Sequence, residues 1–306
     1  MRVWFPDEQP SQSLCLNAQT YDVCNWLQAS AEQTFCVACN LNRTIPNLAI
    51  ERNVERWSRL EAGKKRLVYS LLRLGLPVVS CHQHANGLGF DFLEDERSDP
   101  ERFPNEFHYT GYASGIITVN LLEADPAARE ATREAMNEQY RTVLGHMRHE
   151  SGHFYFDYFR DAIDSLQFEQ LFGDVNLAYR ESLDEYYLTG PPPDWPEHFI
   201  SAYSSAHPLE DWAETWAHYL HITDALETAE TYGLVHDLNI LAFREQLGRW
   251  RELSVTLNEL NRGFGVNDAY PFVISAHAEE KLLFVDGLIK SINASAAALE
   301  QNSLPA

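Results

Sequence analysis

The pattern of hydrophobic and polar positions predicts a short sheet in the first half of the chain. Before the sheet, apolar residues recur at spacings of three and four over residues 55–74, including Trp57, Leu60, Leu67 and Leu72. Such spacing is typical of one face of a helix, and Gly75 follows as a stop signal. Short runs of β-branched or aromatic residues are then predicted as strands at 78–79, 90–93 and 115–121.

Helical periodicity dominates the second half of the chain. Tyr140, Val143 and Met147 form an apolar stripe in a helix expected from Pro126 onward, because proline suits a first helical turn. The stretch ending at residues 190–193 is expected to be irregular, since it holds three consecutive prolines. Further helices are predicted over residues 209–231, 238–260 and 276–292. A short mixed sheet followed mostly by helices predicts an α+β fold.

Composition and charge narrow the classes of function. The chain has 306 residues, 45% of them hydrophobic, and a formal net charge of -22. Nucleic acid and anionic membrane surfaces are therefore not expected as partners, because both require basic patches. No run of about eighteen apolar residues is present, and residues 1–7 lack the apolar core of a secretory signal. We therefore expect a cytoplasmic protein, and nothing in the sequence indicates its oligomeric state.

The sequence His149-Glu150-Ser-Gly-His153 is the strongest chemical signal. Two histidines four apart on a helix project from one face and can bind a single zinc ion. Glu150 then lies beside the metal, where a carboxylate can act as general base on a zinc-activated water. His146 shares this helical face, so a pair three apart is an alternative. Only His149 is followed directly by glutamate, and we therefore predict His149 and His153 as ligands.

A catalytic zinc needs a third protein ligand, and the helix that opens at Pro208 offers carboxylates. Glu210 and Glu214 are four apart and share a face of that helix. A glutamate from a second helix meeting a two-histidine helix is the gluzincin arrangement, so we predict Glu210 as the ligand. Glu214 is expected to hold the free N–H of a histidine. Asp211 and Glu214 stay open as alternative ligands, and a solvated acidic helix start is the competing interpretation.

Two further features could take part in hydrolysis. Tyr203 lies seven residues before Glu210, where its phenol could donate to the oxyanion of a tetrahedral intermediate, although packing is equally compatible. His207 allows the same proposal with less support. The strand at 115–121 could hold an extended substrate along an exposed edge, or it could be an ordinary core strand.

Four of the five cysteines lie close together near the start of the chain. Cys36 and Cys39 form a Cys-x-x-Cys pair, and Cys15 and Cys24 form a second pair nine residues apart. A structural zinc on four thiolates fits these spacings, whereas unligated buried thiols are the alternative. The sequence His149-Glu150-Ser-Gly-His153 predicts the active-site arrangement of a zinc metallopeptidase. We therefore expect residues 1–50 to form a small cysteine module and residues 51–306 to form a zinc metallopeptidase domain.

Several runs of residues resemble one known family. They are residues 36–46, 140–153, 201–221, 258–262 and 270–272. Together they resemble a bacterial family of zinc-binding metallopeptidases with an N-terminal zinc-ribbon region, and the likeness covers nearly the whole chain. Family members begin with additional Cys-x-x-Cys pairs, which residues 2–13 lack, so the first ribbon is expected to be lost. Glu210-x-x-Ala-Glu214 with Tyr203 upstream also resembles the third-ligand helix of lethal-factor-type gluzincins.

The resemblance and the motifs together predict a gluzincin-like zinc metallopeptidase that acts on a peptide or protein substrate. It would use one catalytic Zn²⁺ and one structural Zn²⁺. Two alternatives stay open on sequence alone. One is a non-enzymatic interaction protein in which both zinc ions are structural, and the other is a zinc hydrolase acting on a non-peptide amide.

Overall fold

The computed structural model describes residues 13–136 and 138–303. Within these ranges the chain forms ten α-helices and four strands, which confirms the predicted α+β class. The helices are α1 (Leu16–Tyr21), α2 (Glu51–Arg73), α3 (Pro126–Ala135), α4 (Val143–Tyr158), α5 (Ser165–Phe172), α6 (Tyr179–Thr189), α7 (Trp195–His198), α8 (Pro208–Thr231), α9 (Phe243–Gly263) and α10 (Ala276–Ser303). The strands are β1 (Asn42–Thr44), β2 (Gly89–Leu93), β3 (Gly111–Ala113) and β4 (Ile116–Asn120).

The chain divides into two compact units, Met1–Glu150 and Ser151–Ala306, so the boundary falls inside α4. The expected loss of a first ribbon concerns residues 2–13, which lie almost entirely outside the described residues. The proposed division into domains 1–50 and 51–306 stays a prediction. None of the helices in the described ranges is both long and apolar enough to span a bilayer.

The first unit contains a small mixed sheet with the strand order β1-β2-β4-β3. β2 pairs in parallel with both β1 and β4, and β3 pairs antiparallel with β4. β4, the strand predicted at 115–121, is therefore central, and its proposed role as an exposed substrate-binding edge is wrong. The prediction of a strand at 78–79 is also wrong, because the chain there makes only an isolated bridge between Ser80 and Leu88 before it turns.

Helix α2 supplies much of the core of the first unit. Trp57, Leu60 and Leu67 are fully buried, as their spacing predicts. Leu72 belongs to the same predicted stripe but is 43% exposed, because it lies one position past the buried Leu71 at the edge of that face. The helix ends where predicted, with Gly75 in the left-handed region at φ 70°.

The segment from residue 126 to 158 forms two helices rather than the single one predicted. α3 ends at Ala135, and α4 begins anew at Val143. The hydroxyl of Thr142 accepts a hydrogen bond from the Gly145 N–H at 2.9 Å, which caps the start of α4. An apolar stripe cannot reveal such a break, because its period continues across the gap.

The second unit is built around α8, most of whose residues are buried. Trp212 and Trp216 are fully buried and pack against the second half of α4. Gly152 of α4 allows this contact, since a Cβ at that position would lie 2.9 Å from Cα of Ala213. A glycine in a helix interior costs about 1 kcal/mol relative to alanine, and here the close approach of α8 requires it.

The stretch between α4 and α8 contains more structure than its composition predicts. α5, α6 and α7 all lie in it. Residues 190–193 lack regular structure, as expected, and so do the other short segments between these helices. The helix predicted from residue 238 begins with a 3-10 turn, and α9 starts at Phe243. α8 and α10 begin at Pro208 and Ala276, within a residue of the predicted starts.

Candidate metal centres

The four cysteines of the N-terminal segment converge on one buried point. Their sulfur atoms lie within 4.8 Å of one another. Cys15 directly precedes α1, while Cys36 and Cys39 flank a turn that leads into β1. All four side chains are at most 5% exposed. The structure thus brings together all four residues predicted for the cysteine centre.

Distances within this cluster fit a tetrahedral zinc ion. Sγ of Cys24 lies 3.7 Å from Sγ of Cys36, whereas sulfur atoms in a disulfide are separated by about 2.05 Å. Zinc–sulfur bonds of about 2.3 Å in a tetrahedron put the sulfur atoms about 3.8 Å apart. The backbone N–H of Cys39 also donates to Sγ of Cys36 at 3.3 Å, which favours a thiolate there.

The electrostatics of the cysteine cluster also fit a bound zinc ion. Hydrogen bonds from the three neighbouring thiols hold the pKa of Cys15 well below its usual range. The corresponding contacts, together with burial, raise the pKa of Cys39 well above its usual range. The shifts run in opposite directions because four thiolates would repel one another in a buried space. A divalent cation removes that repulsion, so the donor set fits zinc.

Polar residues of α2 support the cysteine centre. Glu61 and Lys64 are both fully buried and form an ion pair at 2.8 Å. The Glu61 carboxylate also accepts from the indole N–H of Trp57 at 3.0 Å, and it lies 3.9 Å from Sγ of Cys39. Lys65 donates to the backbone carbonyl of Val23 at 3.2 Å. The cysteine segment is therefore tied to α2 through buried hydrogen bonds.

A second group of donors comes from α4 and the first turn of α8. One ligand atom each of His149, His153 and Glu210 lies within 4.8 Å of the other two. Nε2 of His153 is 3.5 Å from Oε1 of Glu210, and two ligands of a tetrahedral zinc with bonds of about 2.1 Å lie about 3.4 Å apart. Glu210 is 1% exposed, whereas the His153 side chain keeps 13% exposure. Two imidazoles and one carboxylate also form the kind of donor set that catalytic zinc uses.

Tryptophan side chains fix the register of α8 against α4. The indole N–H of Trp212 donates to the Gly152 carbonyl at 2.8 Å, and that of Trp216 donates to Oγ of Ser151 at 3.1 Å. Trp216 also stacks on Tyr155 with ring centroids 5.0 Å apart. Because Trp212 is two residues after Glu210, these contacts hold the carboxylate close to His153.

Tyr179 is a residue of this centre that the sequence analysis missed. It is the first residue of α6, and its hydroxyl donates to Oε1 of Glu210 at 2.5 Å. Its ring also contacts that of His207, with centroids 5.0 Å apart. Tyr179 lies 31 residues before Glu210 in a tyrosine-rich stretch with no motif. No sequence signal distinguishes it from its neighbours.

The alternative acidic ligands lie elsewhere. The Asp211 carboxylate pairs with Nζ of Lys281 at 2.6 Å, and both side chains are buried. Burial raises the pKa of Asp211 to about 7, although the charge of Lys281 opposes the shift. Glu214 is half-buried and does not belong to the three-donor group found among the described residues. Glu150 follows His149 in α4 and is also half-buried.

The two candidates for oxyanion stabilisation differ in their surroundings. Tyr203 lies in a 3-10 turn, where its ring meets that of Tyr186 edge to face at 5.7 Å. His207 caps the start of α8, because its Nδ1 accepts from the Leu209 N–H at 3.0 Å. Its Nε2 lies 3.2 Å from the Leu177 carbonyl. Both nitrogens of His207 thus contact backbone groups, which leaves Tyr203 as the candidate.

His146, the additional histidine of the motif helix, interacts with Glu123 of the first unit. Its Nδ1 lies 3.4 Å from the Glu123 carboxylate, which also pairs with Arg141 at 2.6 Å. Burial alone would raise the pKa of Glu123, but His146 and Arg141 lower it to about 2. His146 is absent from the donor group formed by His149, His153 and Glu210.

Comparison with known proteins identifies the family. Residues 53–288 match a family described as "Putative zinc-binding metallo-peptidase", and residues 3–50 match a zinc-ribbon domain. The chain is 38% identical to proteins of Mycobacterium bovis and Mycobacterium tuberculosis over 291 residues, which is 91% of this chain and 83% of theirs. Both relatives are described only as uncharacterized. No solved structure matches the chain. The protein therefore belongs to the family with this description, as the sequence resemblance predicted.

Proposed function

We propose that the protein is a zinc-dependent metallopeptidase that hydrolyses peptide bonds, with His149, His153 and Glu210 as the ligands of the catalytic zinc. The observation that carries the proposal is the convergence of these three donors from two helices, with their ligand atoms within 4.8 Å of one another. The family description supports the same class of activity. A glutamate directly after the first histidine completes the gluzincin arrangement.

Zinc bound at this centre would polarise the substrate carbonyl and lower the pKa of a water molecule. The chain's own residues would then perform the proton transfers. Glu150 takes a proton from the attacking water as general base, and returns it to the nitrogen of the leaving amine. The structural basis of this assignment is that Glu150 follows His149 directly on α4 and is half-buried.

Two tyrosines have separate roles in this proposal. Tyr179 is a positioning residue, because its hydroxyl donates to Glu210 and so restricts the orientation of the carboxylate. Tyr203 donates to the oxyanion that develops on the substrate. Glu214 holds the free N–H of a ligand histidine. These roles go beyond the family description and are part of the proposal.

The cysteine centre has a structural role in this proposal. Its four sulfur donors would fill the coordination sphere of a zinc ion and leave no position for a substrate. Four cysteines that bind metal instead of pairing as disulfides favour a reducing compartment, so we propose a cytoplasmic location. The proposed substrate is a peptide or protein, in agreement with the family description. The net charge of -22 disfavours nucleic acid.

The test replaces Glu150 by glutamine in the full chain, with Glu181→Gln as the control on the exposed surface of α6. We expect the Glu150→Gln protein to keep both zinc equivalents and to lose about 10²- to 10⁴-fold in kcat/KM on a peptide library. The control should behave as wild type. Unchanged cleavage by Glu150→Gln would refute its role. A fully zinc-loaded wild type that cleaves no peptide would refute the peptidase proposal and favour an interaction protein or a hydrolase of other amides.

A further inference from the structure

A cavity of about 490 Å³ lies beside α6 in the second unit. Its walls are Ser182, Glu185, Tyr186 and Thr189 of α6, prolines 191–193 and Ser205 of the 3-10 turn. The volume lies within the range of about 300–1,000 Å³ that is typical of ligand pockets. It exceeds the space that a single amino-acid side chain fills, so it can hold part of a peptide.

The cavity is connected to the candidate catalytic centre through one face of α6. Tyr179, Ser182, Tyr186 and Thr189 follow at spacings of three and four and so share that face. Tyr179 touches Glu210 at one end of the face, and the other three line the cavity. At a rise of about 1.5 Å per residue, Tyr186 lies about 10 Å further along the helix. An extended peptide covers that distance in about three residues.

The chemistry of the cavity favours a cationic side chain. Among the residues that line it in the described chain, Glu185 is the one that carries a charge. Tyr186 offers an aromatic face, and the prolines offer an apolar wall. A lysine or arginine side chain matches this combination, because its methylene stem packs on apolar surface while its charged head meets the carboxylate. The net charge of -22 also favours basic peptides over acidic ones.

The walls of the cavity are held in place. The Tyr186 ring meets Tyr203 edge to face with centroids 5.7 Å apart, which couples α6 to the turn before α8. Prolines 191–193 have restricted backbone angles, and Gly190 at φ 78° provides the turn that leads into them. A preformed pocket loses less conformational entropy when it binds a ligand.

We propose that this cavity is a substrate subsite that selects a lysine or arginine side chain about three residues from the cleaved bond, with Glu185 as the specificity determinant. The inference rests on the proposed function in taking the ligand to be a peptide substrate of the same site. Glu185 is a binding residue in it and takes no part in bond cleavage.

The test uses alanine-based octapeptides with a fluorescent label. Each peptide carries a single arginine, glutamine or glutamate, and this residue is placed at each position of the peptide in separate peptides. Binding is measured by fluorescence anisotropy with the full-length Glu150→Gln protein, and cleavage is measured with wild type. We expect the arginine peptide to bind up to about fivefold more tightly than the glutamine peptide at one position, since exposed ion pairs contribute modestly. The preference should weaken as salt concentration rises.

Variants of α6 give the matched controls. Glu185→Gln should remove the preference for arginine, and Glu185→Lys should reverse it in favour of glutamate. Asp184→Asn removes the same charge from the neighbouring exposed position outside the cavity lining, and should keep the preference. Equal loss in Asp184→Asn and Glu185→Gln would overturn the inference, as would a preference that survives Glu185→Gln.

The binding and cleavage measurements together distinguish a failure of this inference from a failure of the proposed function. Peptides that are cleaved with no preference for arginine at any position would overturn the subsite and leave the peptidase proposal intact. Peptides that bind with a preference that depends on Glu185, but are never cleaved, would support the subsite as a basic-peptide site and refute the peptidase proposal.

Discussion

The two candidate metal centres differ in donor number, exposure and origin. The cysteine centre has four sulfur donors from one short segment, each at most 5% exposed. The other centre has three donors from helices about sixty residues apart, and the His153 side chain keeps 13% exposure. Four buried donors close a zinc coordination sphere, whereas three donors leave a position for substrate. In the proposed assignment, the number of ligands decides whether the same ion serves folding at one centre or chemistry at the other.

Replacing one cysteine of the four-sulfur centre should reduce stability more than any substitution at the other centre. Cys36→Ser removes a sulfur donor from the buried cluster, and the remaining thiolates then bind zinc weakly. We expect the loss of one zinc equivalent and of more than about 4 kcal/mol in the free energy of unfolding, because structural zinc contributes directly to folding. Metal analysis and thermal unfolding measure both. Cys81→Ser is the matched control, since Cys81 lies outside the cluster. Equal stability of the two variants would show that the four-cysteine cluster binds no structural metal.

Replacing the acidic donor of the other centre should affect activity more than folding. Glu210→Gln substitutes a poor neutral ligand, so we expect loss of the second zinc equivalent and a decrease in kcat/KM of about a thousandfold or more. Asp211→Asn tests the neighbouring carboxylate. It leaves the buried Lys281 without its charge partner, and should reduce the free energy of unfolding by about 3 kcal/mol while zinc is retained.

The opposite pattern would contradict this assignment. If Asp211→Asn releases zinc and Glu210→Gln does not, Asp211 is the third ligand. Zinc titration of the two purified variants, together with chemical denaturation, distinguishes these outcomes.

An acid-dependent loss of stability should be specific to the first unit. The folded pKa of Glu123 is about 2, below its ordinary value of 4.5. The stabilisation is therefore fully present above about pH 4.5 and is lost as the pH falls toward 2. A shift of this size corresponds to at most about 3 kcal/mol in the free energy of unfolding. We expect Glu123→Gln to be less stable than wild type at pH 6, with the difference shrinking at pH 3. If the stability difference between Glu123→Gln and wild type does not change with pH, the lowered pKa of Glu123 is not the source of this stabilisation.

Removal of the Tyr179 hydroxyl should have the smallest effect of these substitutions, because it weakens zinc binding without removing a ligand. Tyr179→Phe keeps the ring that contacts His207 but loses the hydrogen bond to Glu210. We expect zinc affinity at this centre to fall about 10- to 100-fold, as for other residues that orient metal ligands. Competition with a chelating dye measures it, and Tyr187→Phe on the exposed side of α6 is the control. A change in catalysis with unaltered zinc affinity would instead assign Tyr179 a direct contact with substrate.

Features encoded by local spacing were predictable from the sequence. The two histidines four apart and the Cys-x-x-Cys pair need only the geometry of one helix or one turn. The start of α8 and the end of α2 were also predicted, because proline and glycine mark these boundaries locally. The start of α10 was predicted from its helical periodicity. The convergence of Glu210 with His149 and His153 agrees with the arrangement that the sequence predicted. The assignment of these residues as zinc ligands stays a prediction.

Features that depend on tertiary contacts were not predictable. β1 has three residues, and its partner β2 lies far along the chain, since Asn42 pairs with Phe90. Tyr179 reaches Glu210 only because α6 folds back toward α8. In each case the deciding interaction joins residues whose relation the chain order does not reveal.

The buried ion pair of Glu61 and Lys64 makes α2 and the cysteine module interdependent, both in protein engineering and in evolution. Both side chains lie on α2, yet Glu61 approaches Cys39 and accepts a hydrogen bond from the Asn42 side chain at 2.7 Å. A chimera in which residues 1–50 are replaced by a zinc ribbon from another protein would leave the charges of Glu61 and Lys64 buried without the neighbouring Cys39 and Asn42 side chains. The ribbon and α2 should therefore be transplanted together, and mutations in the two segments should accumulate as matched pairs.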